Sequence, residues 1–147
     1  MTSVRTSVST SLSPTEVMSV LTDFGADRVD RWANIDAEHF EVHGSGPGWA
    51  DVTEGNKLGW ERTRYTWDTD TGTVGVETLE SNLWGPGSRW DYQIRPAGDG
   101  GAGSTLDVTL TRHGKGLMGK AIEVLLPVLG ARMIKSQTAQ VLERVSG

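Results

Sequence analysis

Charged residues on the inward-facing positions of predicted strands are the first candidates for chemistry in this sequence. Arg112, Glu61 and Glu80 each continue an alternation whose other members are mostly apolar or aromatic, and Asn82 extends that of Glu80. A charge is rarely buried without a partner. Arg112 is therefore predicted to form an ion pair with Glu61 or Glu80 at the mouth of a cavity, or to hold a ligand carboxylate or enolate. Simple exposure at a strand end is the third alternative.

Proton transfer is the second kind of chemistry that the sequence allows. General acid–base catalysis needs a titratable side chain within reach of the reacting atoms. No serine or cysteine nucleophile can be assigned from spacing, so a proton shuttle is the form that catalysis would take. The candidate residues are Glu61, Glu80 and His113, followed by Asp91, Tyr65 and Tyr92.

Two histidines raise the question of a metal site. His39 and His43 are four residues apart, a spacing that would suit one ion on a helix. The residues around them alternate with a period of two, which predicts a strand, and on a strand the two side chains lie roughly 13 Å apart. We therefore predict solvated histidines, with no metal and no cofactor.

Two glycine-rich segments resemble phosphate-binding loops in composition. The segment "GSGPG" is not followed by Gly-Lys-Ser/Thr and precedes a strand pattern, so a hairpin or loop is predicted there. The segment "GKGLMGK" precedes a helix, and its lysines and backbone amides could meet an anionic ligand group. A glycine-rich lead into that helix is the favoured alternative.

Length and charge narrow the class of protein. The chain has 147 residues, 19 glycines, no cysteine and a net charge of −5, which predicts one domain over residues 1–147 and a reducing, cytoplasmic location. The net charge argues against nucleic acid or an anionic membrane as the main partner. The N-terminal residues lack the apolar stretch of a signal peptide.

The N-terminal third predicts a strand followed by two short helices. Alternation over residues 4–10 indicates the strand. In "SPTE", Ser13 can cap a helix, Pro14 suits its first position and Glu16 can close a capping box. Residues 28–32 are predicted to form the second helix.

Strand patterns then continue to about residue 111. "PAGDGGAGS" predicts a hairpin turn, because Asp-Gly and Gly-Gly supply positive φ angles. The predicted strands begin at residue 38 and continue at 49–54, 59–68, 74–84, 88–95 and 106–111.

A long apolar stripe predicts a C-terminal helix over residues 117–145, on the order of 40 Å in length. Pro127 is expected to kink this helix. Its apolar run, residues 122–133, is too short to span a bilayer, which needs about 20 residues. The stripe consists of Met118, Ile122, Leu125, Leu129, Met133, Val141 and Val145.

These elements predict an α+β fold of the helix-grip type. A curved antiparallel sheet of about six to seven strands would wrap around the long C-terminal helix, with two short helices after the first strand. Large aromatic side chains on the inward positions would either fill the space between the layers or line a cavity. They are Tyr65, Trp67, Trp90 and Tyr92.

The element order and three segments resemble the SRPBCC superfamily, the START-like helix-grip proteins, in its polyketide cyclase/dehydrase-like branch. The segments are "SPTEVMSVLTDF", "WERTRYTWD" and "ESNLWGPGSRWDYQIRPAGDGGAGSTLDVTLTRHGKGLMGK". The resemblance covers nearly the whole chain and implies a hydrophobic cavity between sheet and helix. Some members only bind ligands, whereas others cyclise or dehydrate them. No catalytic motif of the family maps onto this sequence.

The sequence thus predicts a binder of a hydrophobic or aromatic small molecule, lipid- or polyketide-like, that is a monomer or homodimer and does not insert into membranes. A cofactor-independent cyclase or dehydratase is the first alternative. A protein-interaction module is the second, because Trp60 is predicted on the outer sheet face. The predicted ligand-binding residues are Tyr65, Trp67, Asn82, Trp90, Tyr92, Arg112, Met118 and Met133.

Overall fold

The computed structural model describes residues 1–98 and 102–146, which form a sheet layer and a helix layer. The helical elements are α1 (Pro14–Thr22), α2 (Arg28–Arg31), a 3-10 turn (Ala37–His39), α3 (Gly116–Leu125), a π-helical turn (Leu126–Gly130) and α4 (Ala131–Ser146). The strands are β1 (Thr2–Thr10), β2 (Glu41–Gly46), β3 (Trp49–Gly55), β4 (Trp60–Asp68), β5 (Thr73–Ser81), β6 (Arg89–Pro96) and β7 (Ser104–Arg112).

The sheet is a curved, seven-stranded antiparallel sheet with the order β1-β7-β6-β5-β4-β3-β2. β1 pairs with β7, with Val4 opposite Leu110, so the first and last strands are neighbours. The C-terminal helix packs against β1 and against α1 and α2. The predicted helix-grip architecture, with two short helices after the first strand, is confirmed.

The first helix begins as its sequence predicts. The Ser13 hydroxyl accepts a hydrogen bond from the Glu16 backbone N–H at 3.2 Å. The Glu16 carboxylate accepts one from the Ser13 backbone N–H at 3.1 Å. This capping box satisfies two amides that a helix N-terminus leaves without partners, and it orients α1 so that Val17, Val20 and Leu21 are buried.

The C-terminal helix is interrupted near the predicted proline. Pro127 has no N–H to continue the helical hydrogen bonds, and the chain forms the π-helical turn Leu126–Gly130 at this point. Gly130 lets the turn approach the sheet, because a Cβ atom there would lie 3.2 Å from methyl groups of Val4 and Leu126. The interruption therefore comes where the helix crosses β1.

The region before β2 differs from the prediction. The strand predicted from residue 38 begins at Glu41, because the Asp36 carboxylate accepts the His39 backbone N–H at 2.9 Å and holds a 3-10 turn. His39 is therefore not on a strand, and its ring Nδ1 lies 2.6 Å from Asp36 Oδ1. His43 contacts the Thr53 hydroxyl at 2.7 Å. Val42 is exposed.

A β-bulge in β5 corrects the predicted positions of two polar side chains. Thr63 pairs with Thr78 and Arg62 pairs with Glu80, which leaves Leu79 as an extra residue on β5. An extra residue reverses the alternation of faces along a strand. Glu80 and the residues that follow it therefore change phase, and Glu80 is exposed on the outer face.

The hairpin predicted between the last two strands lies partly outside the described residues. β6 and β7 pair in antiparallel register as far as Pro96 opposite Ser104. The Asp-Gly-Gly of the predicted turn, residues 99–101, is the part that is not described.

Candidate functional site

A cavity of about 260 Å³ lies between the concave face of the sheet and the C-terminal helix. Leu58 in the β3–β4 turn and Met133 on α4 both line it and are 62% and 47% exposed, so the cavity opens to solvent beside them. The aromatic side chains of its wall are Trp32, Trp60, Tyr65, Trp84, Trp90 and Tyr92. The aliphatic ones are Leu21, Ile35, Leu58, Leu83, Leu110, Ile122, Leu126, Met133 and Ile134.

Strand periodicity places two of the aromatic rings side by side. Trp90 and Tyr92 are two residues apart on β6 and so project from the same face of the sheet. Their ring planes are within 4° of parallel, with centroids 6.2 Å apart. Both rings line the cavity and form one aromatic section of its wall.

An ion pair between Arg112 and Glu61 forms a polar patch in this wall. Arg112 Nη1 donates to Glu61 Oε2 at 2.8 Å and to the Thr78 hydroxyl at 3.4 Å. The guanidinium also lies over the rings of Trp84 and Trp90, at 4.7 and 5.3 Å from their centroids. The side chains of the pair are only 7% and 14% exposed. Of the two predicted partners, Glu61 and Glu80, Arg112 thus pairs with Glu61.

The remaining donors of Arg112 are not used by the protein. Within residues 1–98 and 102–146, only its Nη1 has hydrogen-bond partners. The Nε and Nη2 atoms are not among the fully enclosed polar atoms, and the residue lines the cavity. Arg112 can therefore pair with Glu61 and donate to a ligand at the same time.

A second polar cluster, which the sequence reasoning missed, closes the cavity on the side of α2. Arg28 Nε donates to Glu54 Oε2 at 2.5 Å, and its Nη2 donates to the Tyr65 hydroxyl at 2.9 Å. Arg28 Nη1 donates to the backbone carbonyls of Asp23 and Leu21, at 2.9 and 3.3 Å. The Tyr65 hydroxyl in turn donates to Glu54. The cluster is self-satisfied, so it fixes the wall.

Burial sets the protonation of these groups. Desolvation, reinforced by the charge of Glu54, raises the pKa of Tyr65 well above its usual value. The same two causes raise the pKa of Tyr92. Desolvation alone would lower the pKa of Arg28, but the ion pair with Glu54 more than offsets it and the pKa rises. At neutral pH the cavity wall therefore presents two protonated phenols.

Trp32 supplies a hydrogen-bond donor without a partner. Its indole Nε1 is fully enclosed and makes no hydrogen bond with any described residue. Leaving a buried donor unsatisfied costs about 1–3 kcal/mol. Trp32 lines the cavity, but an enclosed Nε1 presents no surface to a ligand there, so this donor belongs to the packed wall.

The structure divides the predicted site residues into two groups. Those in the cavity wall are Glu61, Tyr65, Trp90, Tyr92, Arg112 and Met133. Those elsewhere are Trp67, Asn82, Met118, Glu80, Asp91 and His113.

Three predicted ligand-binding residues lie outside the cavity wall for different reasons. Trp67 is inward-facing, but it packs against Phe24, with ring centroids 6.2 Å apart, beyond the closed side of the cavity. Asn82 follows the bulge in β5 and bonds to the backbone of Trp60 and Leu58, at 2.9 and 3.1 Å. Met118 is exposed in the first turn of α3.

Three predicted proton-transfer residues are also outside the wall. Glu80 is on the outer sheet face, and Asp91 accepts hydrogen bonds from Arg89 there, at 2.8 and 2.9 Å. His113 follows β7 and contacts the loop at Gly87. Of the acid–base candidates, Glu61, Tyr65 and Tyr92 are the ones in the cavity wall.

The position of Trp60 differs from the prediction on which the interaction-module alternative was based. Trp60 was predicted on the outer sheet face, but it lines the cavity at the start of β4. Its backbone N–H donates to the Asn82 side chain. The interaction-module alternative then rests on the neighbouring outer sheet face alone.

The glycine-rich segment before α3 serves packing. A Cβ atom on Gly119 would lie 2.3 Å from the Leu83 carbonyl oxygen. The Gly114 amide already donates to the Glu123 carboxylate at 2.6 Å. These contacts favour a close-packed lead into the helix over an anion site. Among the described residues, no three His, Asp or Glu side chains converge as metal ligands.

Comparison with known proteins yields structural similarity only. No family model matches the chain, and no curated protein sequence matches it. A START superfamily protein from Mycobacterium smegmatis aligns with a TM-score of 0.76 at 14% identity, over 97% of this chain and 98% of its own. The Zhui aromatase/cyclase from a Streptomyces species aligns with a TM-score of 0.73 at 15% identity, over 99% and 96%. A truncated norcoclaurine synthase from Thalictrum flavum gives 0.71 at 12%, over 98% and 92%.

These alignments cover nearly the whole of each chain at very low sequence identity. Likeness of this kind establishes a shared architecture and leaves activity open. The neighbours are named as proteins of different activities, yet each has the same arrangement of sheet and long helix. The chain therefore has the helix-grip fold of the START superfamily proteins.

Proposed function

We propose that this protein binds a small apolar or aromatic molecule in the cavity between the sheet and the C-terminal helix. The observation that carries the proposal is an aromatic-walled space lined by Arg112, whose Nε and Nη2 have no hydrogen-bond partner among the described residues. Ligand sites are typically concave and mostly apolar, with a few placed polar groups.

The cavity volume limits the size of the ligand. The space of about 260 Å³ is just below the range of roughly 300–1,000 Å³ that is common for ligand sites. An engineered apolar cavity of about 150 Å³ holds one benzene molecule. A compound of one or two fused rings, such as a polyketide-like aromatic fragment, therefore fits better than a full-length lipid chain.

The unused donors specify the polar part of the ligand. Arg112 Nε and Nη2 can each donate to an acceptor atom, which favours a carbonyl, carboxylate or phenolate oxygen on the ligand. The rings of Trp90 and Tyr92 would cover its apolar body. Burying a few hundred Å² of apolar surface at about 25 cal/mol per Å² supports micromolar affinity after the costs of association.

Titration with naphthoate, which has two rings and a carboxylate, tests the proposal by quenching of tryptophan fluorescence. We expect binding of one equivalent to the wild type and a loss of about tenfold or more in Thr138→Phe, since Thr138 lines the cavity on α4. Thr66→Phe, on the exposed outer sheet face, is the matched control. Equal affinity in all three proteins would refute the cavity as the site.

A cofactor-independent cyclase or dehydratase is the second candidate. The presence of Glu61, Tyr65 and Tyr92 in one cavity favours it, because a carboxylate and phenols can exchange protons with a bound chain of ketones. A solved neighbour named as an aromatase/cyclase adds support by analogy. Incubation with a short poly-ketone thioester would test it. The enzyme is supported if the wild type turns the thioester over and Glu61→Gln abolishes turnover without loss of binding. Binding without turnover supports the first candidate.

A further inference from the structure

The C-terminal helix carries an exposed apolar stripe on the side away from the sheet, and this stripe shares only Leu125 and Leu129 with the one predicted from the sequence. Leu117, Val124 and Val128 are 92%, 74% and 79% exposed, and Leu125 and Leu129 beside them are also exposed. The stripe follows one face of α3 and continues through the π-helical turn. An apolar surface of this kind on a folded protein marks an interaction site.

All the exposed charges along this stripe are positive. Lys115, Lys120, Arg132 and Lys135 are exposed on the same helical segment. Its acidic residue, Glu123, accepts hydrogen bonds from the Gly114 amide and the Thr2 hydroxyl and faces the sheet side. The whole chain has a net charge of −5. The apolar stripe and the basic residues thus form a face whose charge is opposite to that of the rest of the protein.

We propose that this face docks on the surface of an anionic phospholipid bilayer. Helices that lie in a membrane interface combine an apolar face with flanking lysine and arginine, and an anionic leaflet attracts each nearby basic residue. No helix among the described residues is long and apolar enough to cross a membrane, so the contact is peripheral. Taken for the whole chain, the net charge of −5 argues against an anionic membrane as a partner. The acidic surfaces are repelled from the bilayer, however, so the net charge helps to turn the basic helix face toward it.

The composition of the face argues against a second copy of the chain as the occupant. A two-fold symmetric contact brings the same surface patch of both subunits together. Lys120 and Arg132 would then face a patch of the second copy that carries the same basic residues, without an acidic residue on the stripe to neutralise them. Such juxtaposition of like charges opposes association.

A specific protein partner is also less well suited to this face. Protein interfaces concentrate their binding energy in tryptophan, tyrosine and arginine anchors that fill pockets. The exposed apolar residues of the stripe are aliphatic without exception, and none is aromatic. An aliphatic surface with flexible basic side chains at its margins matches the fluid boundary between headgroups and acyl chains.

Docking would place the cavity close to the bilayer. Ile122, Leu126 and Met133 belong to the same helical segment and line the cavity from its inner side. An apolar ligand could then exchange between membrane and cavity with little exposure to water. This consequence rests on the proposed ligand-binding function, whereas docking of the helix face does not require it.

Flotation of the full chain with phospholipid vesicles tests the proposal. We expect binding to vesicles that contain phosphatidylglycerol, weaker binding to phosphatidylcholine alone, and release by salt. Val124→Ser/Val128→Ser should reduce binding about tenfold or more, and Lys120→Gln/Arg132→Gln should reduce it by about fivefold per charge. Leu79→Ser, an exposed aliphatic residue on the outer sheet face, is the control and should float like the wild type.

Other outcomes would overturn the proposal. They are absence of vesicle binding, equal binding by the Val124→Ser/Val128→Ser variant, or a dimer in light scattering that this variant converts to a monomer. Absence of vesicle binding would indicate that the face binds an acidic protein partner instead. A dimer that the variant converts to a monomer would indicate that the face mediates self-association. Thr138→Phe fills the cavity and should float like the wild type, so failure of the ligand site is distinguishable from failure of docking.

Discussion

Arg112 and Glu61 form an ion pair although they lie three strands apart in the sheet. Arg112 is on β7 and Glu61 is on β4, with β6 and β5 between them, and Nη1 lies 2.8 Å from Oε2. Adjacent strands are about 4.8 Å apart, so a flat sheet would separate their backbones by about 14 Å. The concave curvature and the reach of two long side chains close that gap. The pair therefore depends on the curvature that also forms the cavity.

Breaking this pair should destabilise the protein. Arg112→Met leaves the Glu61 carboxylate in the cavity wall without its partner, and removal of one member of a buried pair costs about 3–5 kcal/mol. We expect the lower end of that range, because Glu61 retains 14% exposure. Urea unfolding at neutral pH measures the change in free energy.

The double variant and a surface pair provide the controls. Arg112→Met/Glu61→Gln removes both charges and should recover part of the loss. Arg95→Met removes the exposed ion pair with Asp107 and should have a much smaller effect. If Arg112→Met unfolds at the same urea concentration as the wild type, the pair has no structural role.

The fold could be predicted because local patterns agreed with tertiary structure. Ser13 and Glu16 specify a helix start through backbone contacts three residues apart, and these depend on nothing distant. Strand alternation likewise placed Trp90 and Tyr92 correctly on one face. Pro127 marked the interruption of the final helix. Each of these features is decided within a few residues of the chain.

The site was less predictable because its polar residues depend on non-local geometry. The bulge at Leu79 turned Glu80 outward, and bulges leave no period in the sequence. Glu54 continues the inward phase of Val52 and could have been found by the rule that identified Glu61. Arg28 could not, because its place in the wall follows from how α2 folds across the sheet.

Alkaline titration provides a test of the cavity interior. The chain contains two tyrosines, Tyr65 and Tyr92, and both line the cavity with raised pKa values. A phenol whose pKa rises on folding stabilises the protein below its unfolded value of about 10 and loses that contribution as the pH rises through the folded value. Phenolate absorbance should therefore appear well above pH 10, together with unfolding. In urea it should appear near pH 10, and a native midpoint there would contradict the buried placement.

Replacement of Gly119 should reverse the usual effect of glycine in a helix. Glycine to alanine normally favours a helix interior by up to about 1 kcal/mol. At Gly119 the new Cβ would lie 2.3 Å from the Leu83 carbonyl oxygen, and overpacking of this kind costs about 1–3 kcal/mol. Thermal unfolding should show a lower midpoint for Gly119→Ala than for Gly130→Ala, whose Cβ meets only side-chain methyl groups at 3.2 Å. The opposite order would show that α3 does not pack closely on the backbone at Leu83.

Two tryptophans separate the cavity wall from the rest of the core. Trp90 lines the cavity, whereas Trp67 faces the same side of the sheet but packs on Phe24 outside it. Trp90→Ala should weaken naphthoate binding by about tenfold or more, because it removes ring area that would cover the ligand. Trp67→Ala should lower the free energy of unfolding and leave the affinity within about twofold. Calorimetric titration of both folded variants measures the affinities. A loss that is equal in the two variants would mean that the ligand does not pack against the face formed by Trp90 and Tyr92.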